Sequence, residues 1–274
     1  MKKFFEYIGL LSLVCFSFFL TDKTASVVQE VDDLMIQIKS HQEEYNQKGE
    51  NATVKEKYIV PGLPNRSVNT LKSYQEMKKV GVYDSNYFVY DIKKPSDNLD
   101  NHLDKYIVSG NPKKRMVSII FLVKEGSIKS ILDKIGDKKV SFVIPNYNFQ
   151  NQISDIEFAI GEGNEFLIED SKEQSYLNTK QKLETLKNPT KVCYNIAQDD
   201  NYLSLCKKNK YYSVAPTKVI TKTPLTTTKE ILAPGLFLTF EVNNQLLEEL
   251  PNIISYIESR GYQIKPLSEH IKED

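Results

Sequence analysis

The chain has 274 residues, 40% of them apolar, which suits one large packed domain with appendages and excludes a disordered chain. Basic and acidic residues balance at 36 each, so no general attraction to nucleic acid or an anionic surface is expected. Three scattered histidines and three cysteines, with no Cys-x-x-Cys spacing, exclude a compact zinc motif.

Residues 4–20 are apolar except for Glu6, with Lys2 and Lys3 before them and Asp22 after. About 17 such residues is near the lower limit for a membrane span, and the lysines put the amino terminus on the cytoplasmic side. Residues 1–20 are expected to be a membrane anchor. A cleaved signal sequence is the other reading, although the only suitable small residue, Ala25, has Lys23 at the minus-three position. Both place the rest of the chain outside the cytoplasm. In residues 21–50, Val27, Val31, Leu34, Met35 and Ile38 recur at helical spacing and predict an extracytoplasmic helix over 26–47.

Residues 51–110 read as a small α+β appendage. A strand is expected at 57–60, then a turn at Pro61-Gly62-Leu63-Pro64-Asn65. A helix follows at 69–79, capped by Asn69 and closed by Gly81, then a strand at 87–92. Ser109-Gly110-Asn111-Pro112 marks its boundary. Beyond it, strands are expected at 117–123, 140–144, 165–168, 191–194, 212–214, 236–240 and 262–264. Their starts lie about 22–26 residues apart, a βα repeat length. The clearest helix, 245–260, carries Leu246, Leu247, Leu250, Ile253, Ile254 and Ile257 on one stripe. An α/β fold follows for residues 111–274: a closed or nearly closed parallel barrel, or an open doubly wound sheet.

Three runs near the carboxyl end carry a family resemblance: Ala233-Pro234-Gly235-Leu236-Phe237-Leu238, Glu249-Leu250-Pro251-Asn252-Ile253-Ile254 and Ser259-Arg260-Gly261-Tyr262-Gln263-Ile264-Lys265-Pro266-Leu267-Ser268. They resemble the end of a polysaccharide deacetylase domain, carbohydrate esterase family 4, whose members remove acetyl groups from chitin, peptidoglycan or related glycans. Val117-Ser118-Ile119-Ile120-Phe121 is similar to that family's first strand, and Gly161-Glu162-Gly163-Asn164-Glu165-Phe166 to its approach to the metal site. The resemblance implies a distorted (β/α)7-type barrel over 111–274. It also implies that the functional positions are degenerate. The two aspartates ending the family's first strand fall on Leu122 and Val123, its two histidine ligands on Glu169 and Glu173, and its catalytic histidine on Glu241. Its Arg-x-Pro-Tyr-Gly loop falls near Lys191-Val192-Cys193-Tyr194-Asn195, without the arginine. No histidine lies between residues 103 and 269, so a histidine-based metal site, and any cofactor, is not expected. Metal-assisted hydrolysis needs a cation to polarise the carbonyl and a base nearby.

A carboxylate site from Glu169, Asp170, Glu173 and Glu241 would suit magnesium, calcium or manganese; the plainer reading is a solvated loop or helix start. An oxidising compartment permits a Cys193–Cys206 disulfide, with two buried free thiols as the alternative. Tyr194, Tyr202, Tyr211 and Tyr212 could line a cleft that stacks on sugar rings, or simply be half-buried strand-end residues. The expectation is thus a membrane-anchored, extracytoplasmic deacetylase-like protein that binds cell-wall glycan or a partner protein, with no nucleic-acid partner. An active glycan N-deacetylase with an atypical carboxylate site, or a structural assembly protein, are the alternatives.

Overall fold

The computed structural model describes residues 31–123, 126–188 and 190–274. The expected anchor at 1–20 lies outside them, as does the beginning of the expected extracytoplasmic helix. No helix among the described residues is long and apolar enough to cross a membrane.

The first elements in chain order are α1 (Asp33–Tyr45), β1 (Thr53–Lys55), β2 (Tyr58–Val60), β3 (Asn65–Val68), α2 (Thr70–Val80), β4 (Tyr90–Lys93) and β5 (Tyr106–Ile107). They belong to two units. The smaller comprises residues up to Gly49 and Pro64–Lys93; the larger comprises Glu50–Leu63 and Lys94–Asp274. The division therefore differs from the expected appendage over 51–110. Strands β1, β2 and β5 belong to the larger sheet, because β2 pairs in parallel with β5 and β5 with β10 (Tyr212–Val214). Strands of two or three residues leave too little periodicity to reveal such long-range pairing.

In the smaller unit, the Asp32 side chain caps α1 by accepting from the Leu34 N–H at 3.0 Å. Leu34 and Ile38 pack with Val68, Met77 and Phe88. The Asn69 side-chain oxygen caps α2 by accepting from Lys72 N–H at 2.9 Å. Gly81, at φ 77°, ends it in the left-handed conformation that glycine adopts without a Cβ penalty. Strand β4 starts at Tyr90, later than expected, since Ser85–Tyr87 form a short 3-10 turn capped by Asp84.

The larger unit continues with β6 (Met116–Leu122), α3 (Ser127–Ile135), β7 (Ser141–Ile144), α4 (Asn146–Phe149), α5 (Ile153–Gly161), β8 (Glu165–Ile168), α6 (Glu173–Thr185), β9 (Val192–Tyr194), α7 (Asp200–Lys208) and β10. It ends with β11 (Val219–Ile220), α8 (Pro224–Ile231), β12 (Phe237–Glu241), α9 (Asn244–Ser259), β13 (Gln263–Ile264) and α10 (Leu267–His270). The sheet order is β1-β2-β5-β10-β9-β8-β7-β6-β12-β11, with β13 beside the start of β6. Only β1–β2 is antiparallel. The expected barrel is incomplete: among the described residues β1 and β11 are the two edges and do not pair with each other.

Both faces of the parallel strands are covered, which explains their near-continuous apolar runs. One face sets Ile119, Phe121, Phe142, Phe166 and Phe240 against Ile131 of α3, Ile156 of α5 and Leu250 and Ile253 of α9. Phe142 and Phe166 stack at 5.1 Å between centroids. The opposite face, the inside of the partial barrel, is filled by Ile120, Val143, Leu167, Tyr194, Val214 and Phe237, with Leu267 and Ile271 from the last helix region.

Candidate functional site

The strands end on one rim, and there the expected positions diverge. Leu122 is half-buried and packs with the inner apolar cluster. Val123, one residue on, alternates to the helix-covered core, 4% exposed. Glu241 ends β12 half-buried. Glu173 opens α6 and turns away to pair with Lys208, Nζ to Oε1 2.9 Å. Glu169, just past β8, faces a cavity of ≈ 520 Å³.

The residues lining that cavity include Tyr147, Glu169, Asp170, Lys172, Tyr194 and Asn195. The Tyr194 ring is fully buried at its floor, its hydroxyl paired with Thr239 Oγ1 across the inner face. Burial holds that phenol well above its usual range. The Asn195 side chain staples the following loop, donating to Asp199 O at 2.9 Å and accepting from Asp199 N–H at 2.9 Å. The Asp199 carboxylate caps α7 through Asn201 N–H at 2.8 Å. Tyr202 lines the cavity too and donates its hydroxyl to the Ile168 carbonyl, pinning the end of β8. Cys193 on β9 and Cys206 on α7 are disulfide-bonded, with Cα atoms 6.3 Å apart. The wall of the cavity formed by β9 and α7 is thereby crosslinked.

Of the four tyrosines that could line a cleft, two reach the cavity and two do not. Tyr194 and Tyr202 line it; Tyr211 packs edge-on against Tyr176, and Tyr212 donates to Asp100 elsewhere. The aromatic residue that sequence reasoning missed is Tyr147, 79% exposed on the rim. Its neighbours in sequence, Pro145 and Asn146, mark a strand-to-helix turn, and that was the available signal.

Glu169 is half-buried, and burial first, then the adjacent Asp170 carboxylate, hold its carboxyl above the usual range. No hydrogen bond or ion pair engages it among the described residues. Asp170 accepts from Lys172 N–H at 3.2 Å. No group of three or more His, Cys, Asp or Glu comes together among the described residues, and apolar side chains stand at 122 and 123. The histidines are elsewhere. His102 pairs with Asp97 at 2.6 Å, His41 with Glu44 at 3.6 Å, and His270 lies at the opposite end of the strands.

That opposite end is closed by the last helix. Glu165, fully buried, accepts through Oε1 from Ser141 Oγ at 2.7 Å and Ser268 N–H at 3.0 Å. Leu267 N–H donates to Ser141 Oγ at 2.9 Å. His270 Nδ1 meets Ser118 Oγ at 2.9 Å, and burial depresses its pKa to about 3. Glu273 accepts from the N–H groups of Gly62 at 2.6 Å and Leu99 at 2.8 Å.

No family model and no curated protein matches the chain. Solved structures do. The wild-type carbohydrate esterase family 4 pseudoenzyme of Bacillus anthracis is 18% identical, with TM-score 0.70 over 88% of this chain and 96% of its own. A mutant of that pseudoenzyme with restored enzymatic activity is 17% identical, with TM-score 0.70 over 88% and 99%. The Bc1960 peptidoglycan N-acetylglucosamine deacetylase is 14% identical, with TM-score 0.54 over 62% and 94%. The chain has the fold of the carbohydrate esterase family 4 deacetylases.

Proposed function

We propose that this chain binds cell-wall glycan at the open rim of its deacetylase-type sheet without hydrolysing it, and that residues 1–20 hold it at the outer face of the membrane. One observation carries the reading. Leu122 and Val123 stand at the strand end where the resemblance places two aspartates, while a cavity of ≈ 520 Å³ opens where β8 and β9 end on the same rim. The rim keeps room for a ligand and lacks the donors that would polarise an acetyl carbonyl. The Bacillus anthracis pseudoenzyme supports a non-catalytic use of the fold, and the named substrate of the Bc1960 deacetylase motivates peptidoglycan as the ligand.

The alternative is hydrolysis of a glycan N-acetyl amide at a carboxylate site. The divergence of Glu169 into the cavity and Glu173 toward Lys208 counts against it. The test uses the full chain in detergent, sedimented with purified peptidoglycan and assayed for acetate with and without added divalent metals. Co-sedimentation without acetate release is expected; acetate release, or no binding, overturns the reading. Protease treatment of intact cells should remove the folded domain from outside; protection of that domain refutes the placement.

A further inference from the structure

Resting on the reading that a glycan occupies the rim cavity, we infer that the preferred ligand carries free amino groups: an oligosaccharide of 2-amino-2-deoxyhexose, protonated on nitrogen. Three observations converge on this class. The first is the cavity's charge. Glu169, Asp170 and Asp199 line it against the single ammonium of Lys172. Asp170 and Asp199 already accept backbone N–H groups. Glu169 differs, since among the described residues no donor or cation engages its half-buried carboxylate. A half-buried carboxylate without a counter-charge is costly, and a ligand ammonium supplies both the charge and the hydrogen bond.

The second is the aromatic rim. Tyr147 presents a ring 79% exposed on the lip of the same cavity. An exposed aromatic face is suited to the apolar C–H face of a pyranose, while Glu169 offers a polar partner deeper in. An apolar body with a few placed polar contacts is the usual composition of a small-ligand site, and ≈ 520 Å³ falls within the usual range of volumes. The third is what the donors disfavour. A divalent cation requires several ligands, and no group of three gathers among the described residues. An N-acetylated sugar presents a neutral amide, which leaves the Glu169 charge uncompensated.

The test measures calorimetric binding of the full chain, in detergent at mildly acidic pH, to two probes: a glucosamine hexamer and an N-acetylglucosamine hexamer. Pentalysine serves as a competitor of equal charge type. The glucosamine hexamer should bind at least about tenfold more tightly than the acetylated one, the scale of one charge-assisted hydrogen bond. Glu169→Gln, which keeps the side-chain shape, should abolish that preference without lowering the thermal unfolding temperature. Tyr147→Ala, an exposed position, should weaken binding of the preferred hexamer by about threefold or more. Equal or tighter binding of the acetylated hexamer overturns the amine preference and leaves glycan binding standing. Failure of both hexamers to bind refutes the glycan reading itself. Displacement by pentalysine at equal concentration, or a preference that survives Glu169→Gln, overturns the assignment.

Discussion

Acidification should unfold this protein partly through one imidazole. His270 lies in a niche bounded by Ser118 Oγ, the Phe237 ring at 5.4 Å and Gly110. The niche is so close that a Cβ on Gly110 would sit 2.3 Å from Nε2. Burial first, and then the nearby Lys114 charge, depress the pKa from 6.5 to about 3. The unfolded chain therefore takes up a proton before the folded one does. Stability is fully present above about pH 6.5 and is lost as pH falls toward about 3. With those two values the loss is about 1 kcal/mol near pH 5.5, about 3 near pH 4.5 and roughly 4 near pH 3. The assay is denaturant unfolding of the wild type and His270→Gln across this range, together with an NMR titration of the imidazole. Carboxylates titrate in the same window, so the informative quantity is the difference in slope between the two proteins. A native His270 that titrates near 6.5, or parallel pH profiles, would refute the reasoning.

Three further outcomes are expected. Replacing both Cys193 and Cys206 with alanine, which opens a loop with a sequence separation of 13, should cost about 3 kcal/mol by the chain-entropy relation; unchanged urea midpoints, with free thiols found by peptide mapping of the wild type, would contradict this. Burial raises the Glu165 pKa, so its stability contribution is complete below the unfolded value of 4.5 and is lost as pH rises. Glu165→Gln should accordingly gain stability relative to the wild type with increasing pH, and a variant that loses ground to the wild type toward alkaline pH would count against the buried placement. Writing aspartate at 122 and 123 and histidine at 169 and 173 should not produce stoichiometric zinc binding by elemental analysis, because Val123 faces the helix-covered core and residue 173 points toward Lys208; zinc at one per chain would show that the rim rearranges.

Much of the architecture was legible along the chain, for a local reason. The stripe of Leu246, Leu250, Ile253, Ile254 and Ile257 is the buried side of α9, because helical periodicity and burial share one repeat. The strands β6 to β10 and β12 were legible as short apolar runs bounded by turn residues, since sheets covered on both faces need no alternation. The pairing of β2 with β5, and of β5 with β10, was not. Register between strands this short is decided by partners that no window along the chain contains.

The candidate site divides in the same way. The residue types at 122, 123, 169, 173 and 241 already show that no imidazole stands at these positions, because ligand chemistry belongs to the side chain itself. Their fates were settled by packing. Glu165 and Glu169 lie four residues apart in one segment; the first is sealed beneath Ser268, 103 residues later in the chain, and the second opens on the rim cavity. A carboxylate's identity is written locally, but its charge state and its partners depend on which distant backbone the fold brings against it.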